Sequence, residues 1–203
     1  MIDVILFQKS FKRFFERMGF ERQPIPVLYM CPSTYREANG ITKRMTPIYR
    51  PVNVYDAGNN VFKEYGWMWS LLSGTSIALL MYEYLPGLRI HTAPITLVVK
   101  PYIPFLYEGY LQERVTPVPK DDKNALLFAK ILERLGFDDI FTGTIFKITG
   151  TKNIGRRPDG QYVLYDIDYG TLPLEFRPPW NEHKLYKILR INEMLLNLPP
   201  IYG

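Results

Sequence analysis

The chain has little of what cross-links a protein, binds transition metals or crosses a membrane. Of its 203 residues one is cysteine, Cys31, and two are histidine, His91 and His183. A lone thiol cannot close an intramolecular disulfide, so a reducing, cytoplasmic setting is expected, with Cys31 as a small buried hydrophobe. The histidines are far apart and neither has a ligand partner three or four positions on, which argues against a zinc site. No apolar run approaches the roughly 20 residues of a membrane helix. The richest, Ile77 to Tyr82, is far shorter, so a soluble chain with no membrane partner is expected. Met1 to Phe7 carries Asp3 and lacks a small-residue cleavage pattern, and is expected to be retained. No basic run exceeds the pair Arg156-Arg157. The net charge of +5 therefore favours anionic partners, with nucleic acid only a weak candidate.

Tyrosine and proline are abundant, with fifteen and seventeen residues. That composition suits extended strands, rigid loops and a Tyr/Pro-rich surface able to meet a protein partner. The apolar positions Phe7, Phe11, Phe14, Phe15 and Met18 have helical spacing, and Gly19 ends the pattern. Five prolines between residues 21 and 51 leave one short strand, Val27 to Met30. Val52 to Tyr65 reads as a hairpin around Gly58-Asn59-Asn60. Trp67 to Leu85 reads as a buried helix halted at Pro86-Gly87. Ile95 to Val99 reads as a central strand, and the prolines of Lys100 to Pro104 forbid regular pairing after it.

A helix from Asp122 to Leu135, capped by Asp121 or Asp122, ends at Gly136. A last helix is capped by Asn181, turns Leu185, Ile188, Leu189 and Leu196 inward, and stops at Pro199-Pro200. The order of elements is that of an α+β protein. It divides into an N-terminal helix with a Pro-rich extension at 1–51, a β/α segment at 52–104 and a final segment at 105–203.

The strongest local pattern lies between Asn153 and Gly170. Arg157-Pro158-Asp159-Gly160-Gln161 is a tight-turn sequence, with proline fixing φ and glycine supplying a positive φ. The return strand Tyr162 to Tyr165 leads to Asp166 and Asp168, which alternation puts on one face about 7 Å apart. Two such carboxylates call for a cation or a basic neighbour such as Arg156. Strand pairing brings Asn153, thirteen positions before Asp166, to the same end of the hairpin. Asn153, Asp166 and Asp168 are thus candidate hard-oxygen ligands for Mg2+.

Thr151-Lys152-Asn153-Ile154-Gly155, then Asp159-Gly160, then Val163-Leu164-Tyr165-Asp166, resembles the catalytic-loop Asn, β-hairpin and metal-binding Asp of the protein-kinase-like fold. Asp168-Tyr169-Gly170 is similar to that family's Asp-Phe-Gly signature two residues later, so the resemblance admits either aspartate as the ligand. Lys63, closing Asn60-Val61-Phe62-Lys63, is similar to the family's strand lysine, and Glu83 stands twenty residues on, where its glutamate partner is expected. Lys100 to Pro104 would then be the hinge between lobes, and the helix from Asp122 the one before the catalytic loop. The resemblance implies a small β-containing lobe with a reduced helical lobe, binding ATP and Mg2+ through Lys63, Glu83, Asn153 and Asp166 or Asp168.

The sequence departs from the family in three ways. Ile148 occupies the position of the catalytic Asp, five residues before the Asn, which implies a pseudokinase. Asp138 and Asp139 are the nearest acids but precede the loop by many residues. The covering loop offers only Gly58 with two asparagines, and about thirty residues follow Gly170. A different class of protein, a non-enzymatic structural or interaction protein such as a virion component, needs no active site and accounts for the Tyr/Pro composition as well.

Overall fold

Valine, tyrosine and phenylalanine alternate with polar residues on either side of Gly58, and the chain there forms β2 (Val52–Ala57) and β3 (Asn60–Tyr65), paired antiparallel. Gly58 takes φ +70° in the turn between them, a conformation that costs a side-chain-bearing residue more. The structure is a computed structural model describing residues 12–46, 52–65, 75–99, 109–144, 147–167, 170–177 and 179–203. The chain is mixed α and β. A five-stranded mixed sheet has the order β1-β4-β5-β3-β2, with β1 (Val27–Tyr29) parallel to β4 (Ile95–Val99) and β5 (Gly109–Glu113) antiparallel to both its neighbours.

Register assigns the two faces of this sheet. Val54, Lys63, Tyr110 and Leu97 lie in one cross-strand row, and Val61, Gln112 and Ile95 in the next, all on one face. Tyr65, Tyr110, Ile95, Leu97 and Val99 on that face join the main core. Tyr55, Phe62 and Val98 point the other way and form a second, smaller core with Ile41, against which Tyr35 packs. Tyr35 comes from α2 (Pro32–Ala38), which has proline in its first turn and which the proline-rich composition of residues 21–51 concealed.

Residues 12–17 are helical (α1) and end at Gly19, φ +80°. The expected start of that helix before residue 12 lies outside the described residues. α3 (Thr75–Tyr84) supplies Leu79, Met81 and Tyr84 to the main core. Pro86-Gly87 does not simply stop it. Pro86 opens a further short helix, α4 (Pro86–Ile90), because a proline at the first helical position forfeits no hydrogen bond. α5 (Lys123–Arg134) is capped by Asp122, whose side chain accepts from the Ala125 N–H at 2.9 Å, and closes before Gly136.

α6 (Glu182–Asn197) is capped by Asn181 as expected. Its buried apolar residues are Ile188 and Leu195, whereas Leu196 is exposed. Leu195 continues the seven-residue spacing from Ile188, which keeps both on one face, and Leu196 falls about 100° away.

Three short strands make a second sheet, β10-β9-β6, from β6 (Thr116–Pro117), β9 (Ile154–Arg156) and β10 (Tyr162–Leu164). A two-stranded hairpin, β7 (Phe141–Thr144) with β8 (Lys147–Thr151), precedes it. The β9-β10 hairpin turns where the sequence places it. Gly160 takes φ +91°, its N–H donates to the Arg157 carbonyl at 3.0 Å, and Asp159 accepts from the Gln161 N–H at 3.0 Å.

Tyrosine is used both inside and outside: Tyr55, Tyr65, Tyr82, Tyr84, Tyr110 and Tyr162 are buried, whereas Tyr29, Tyr186 and Tyr202 are exposed. The Tyr65 and Tyr110 hydroxyls meet at 3.2 Å, so the polar tips are satisfied within the core.

His91 is 1% exposed, packs against the Phe128 ring and bonds the Leu195 carbonyl through Nε2 at 3.0 Å. Burial pushes its pKa below the ordinary 6.5, although the Leu195 and Leu198 carbonyls favour the charged form. The unfolded chain therefore takes up a proton more readily than the folded one below about pH 6.5. Stability is retained above that value and is lost as the pH falls through the interval beneath it. Urea unfolding should show a steeper decline between about pH 7 and pH 5 for the wild type than for a His91→Gln variant. Equal slopes would mean that His91 carries no such linkage.

Candidate functional site

The lysine row and the glutamine row of the central sheet open onto a cleft of about 510 Å³. Its walls are Val54 and Val61 from the β2-β3 hairpin and Met45 beside them. The connector Gln112–Pro117 forms a third side, and Tyr165 and Asp166 close it from beyond β10. The connector passes straight from the five-stranded sheet into the three-stranded one, so the cleft lies at their junction. The expected hinge at Lys100 to Pro104 lies outside the described residues. The described chain lining the cleft is instead the one that follows β5, a strand the sequence reading did not find.

Lys63 is buried on the inner face of β3, and its ammonium donates to Asp166 Oδ1 and to the Tyr165 carbonyl, each at 3.2 Å. The Lys63 side chain is 9% exposed and that of Asp166 40%, so the buried charge reaches solvent through its partner. Burial, the largest single influence, pushes the Lys63 pKa down, but the Asp166 carboxylate together with Tyr65 and Tyr165 outweighs it, and the pKa stands above the usual lysine value. The ammonium also lies over the Tyr110 ring, 5.4 Å from its centroid.

Glu83 does not meet Lys63. It is 2% exposed, and both its carboxylate oxygens accept from Arg22, from Nε at 2.9 Å and Nη2 at 3.0 Å. The Ile25 N–H adds a third bond at 3.3 Å. The glutamate thus ties the segment before β1 to α3, a bidentate pairing that a lysine could not offer.

Asn153 has φ +60° and is buried. Its Nδ2 donates to the Asp139 carbonyl at 3.1 Å and to Thr171 Oγ1 at 3.4 Å, while its own carbonyl accepts from the Tyr165 N–H at 3.0 Å. That last bond sets Asn153 beside the residue preceding Asp166, the proximity the hairpin implied. Asp168 lies outside the described residues.

Asp139 has φ +53°, and Lys152 holds its carboxylate at 2.6 Å. These two are the non-glycine residues with positive φ among those described, and they touch each other. Asp and Asn bear this conformation at lower cost than other side chains. The β7-β8 hairpin accounts for the meeting by returning the chain from 139 to 152. Ile148 sits within β8, its backbone in register with Gly143, so the position that would hold the family's base is part of a strand.

Among the described residues no three His, Cys, Asp or Glu side chains gather in a way that could hold a metal. Mg2+ needs no such cage. It is commonly held by one or two carboxylates with a ligand's phosphates, and the carboxylate beside Lys63 at the cleft is that of Asp166.

The connector is held at its far end by the pairing of Thr116 and Pro117 with β9, and at its near end by two ion pairs. Arg114 pairs with Asp56, and its N–H donates to the Asn59 carbonyl at 2.9 Å. Arg157 holds the Glu113 carboxylate at 3.1 Å. Val115 borders the cleft, and its N–H and C=O make no backbone hydrogen bond among the described residues. No family model matches this chain, and no curated protein or solved structure matches it either.

Gly155 lets the connector lie against β9. A Cβ on Gly155 would fall 2.3 Å from Val115 Cγ2 and 2.7 Å from Val115 Cβ. Gly155→Ala should therefore cost about 1–3 kcal/mol by denaturant unfolding, and most of that should return in a Gly155→Ala/Val115→Ala double variant. A single variant within about 0.5 kcal/mol of wild type would mean that this contact does not hold the connector.

Proposed function

We propose that the cleft between the two sheets binds ATP with Mg2+, in a divergent protein-kinase-like domain that holds the nucleotide rather than transferring its phosphoryl group. The observation that carries this reading is the Lys63–Asp166 pair. It joins residues 103 apart in the chain, at 3.2 Å, on the wall of a cleft that Val54, Val61 and the connector also line.

A buried ammonium beside a half-exposed carboxylate suits a triphosphate: the lysine answers the phosphate charge, and the aspartate offers an oxygen to Mg2+. Val54 and Val61 suit the faces of a base. Binding without transfer accords with Ile148 at the position of the base. Glu83 takes no part, since Arg22 engages its carboxylate.

A non-enzymatic interaction protein is the second reading. Leu28, Tyr29 and Met30, at and just past β1, are exposed at 41%, 66% and 38% along one edge of the five-stranded sheet. An edge of this kind suits pairing with a partner.

Calorimetry and thermal unfolding with Mg-ATP separate the two. At 100 times its Kd the nucleotide should stabilise the fold by about 2.7 kcal/mol. Lys63→Met should lose at least about tenfold in affinity while the free protein stays within about 1.5 kcal/mol of wild type, because a buried charge is replaced by a side chain of similar length. The absence of any shift at millimolar Mg-ATP, or an unchanged affinity in Lys63→Met, would contradict the proposal.

A further inference from the structure

Gln112 is 2% exposed, lines the cleft, and its Nε2 is buried with no hydrogen-bond partner among the described residues. The other polar side chains around it are engaged: Lys63 by Asp166, Glu113 by Arg157, and Arg114 by Asp56 through Nη2, although the Arg114 Nε also lacks a partner. A buried amide left in this state is unfavourable and rare in folded proteins, and a ligand that completes its bonds recovers the loss. Gln112 sits on the central strand, in register with Val61 and Ile95 and one row from Lys63 and Tyr110. Gln112 therefore shares the cleft face with Lys63, in the row of Val61.

We infer that Gln112 selects the nucleobase, its amide forming a paired hydrogen bond with the 6-amino group and an adjacent ring nitrogen of adenine. The inference rests on the nucleotide reading above. An amide presents one acceptor and one donor side by side, the complement of the adenine edge, and the paired contact cannot form with a base that lacks the amine. A hydrophobic side chain at this position would accept purines without distinguishing them.

The test compares the affinities of Mg-ATP and of the Mg complex of purine riboside triphosphate, which carries hydrogen in place of the 6-amino group, for wild type and for Gln112→Met. Wild type should prefer ATP by at least about tenfold, and Gln112→Met should bind the two within about twofold of each other. The unliganded Gln112→Met protein should melt at or above the wild-type temperature, because the unpaired amide is gone. Gln112→Glu, close in shape and with no donor when ionised, should bind ATP at least about tenfold more weakly than wild type.

A preference for ATP that survives in Gln112→Met overturns the inference and leaves the nucleotide site standing. So does a Gln112→Met protein that melts well below wild type or fails to fold, since the amide would then serve the fold. If wild type binds neither nucleotide, the nucleotide reading and this inference fall together.

Discussion

An ammonium group on the inner face of a β-sheet is unfavourable unless a counter-charge reaches it. For Lys63 that charge arrives from a residue 103 positions on in the chain. Asp166 follows β10, and β10 is held by β9, by the His91 and Ala93 backbone in the segment before β4, and by the Ile201 carbonyl near the C-terminus. The pair therefore depends on both sheets being in register, and it draws their junction into a cleft instead of a sealed core. Removing the pair would leave the same strands with no reason to keep a polar floor.

The local features were legible because their causes are local. Pro158, Asp159 and Gly160 determine the β9-β10 turn without tertiary help, and Asp122 and Gly136 bound α5 by capping and by a positive φ. The hairpin at Gly58 followed from alternation. α2 was hidden because Pro32-Ser33-Thr34-Tyr35 reads as irregular chain, yet proline is acceptable at a helix start and Tyr35 finds Phe62 across the sheet. Pro86 misled in the opposite sense, marking an end where it also marks a beginning.

The candidate site was half legible. Lys63 was named from the family resemblance and Asp166 from strand alternation, and they meet, but each had been assigned a different partner. Glu83 has the right spacing for a lysine, and nothing in residue types reveals that Arg22, 61 positions earlier, competes for it with a bidentate fork. Asp139 was set aside as too distant in sequence, a distance the β7-β8 hairpin removes. Gln112 carried no signal at all, because an amide in a strand is unremarkable until burial shows that its Nε2 has no partner.

The central proposal is that the junction of the sheets takes a ligand carrying a base and phosphates. Amide hydrogen exchange with and without saturating Mg-ATP tests it most directly. The account predicts slowed exchange in the connector 113–117, around Lys63 and at 165–166, with little change along α5 and α6. Unchanged exchange at all three cleft segments, or protection confined to the β1 edge, would contradict it.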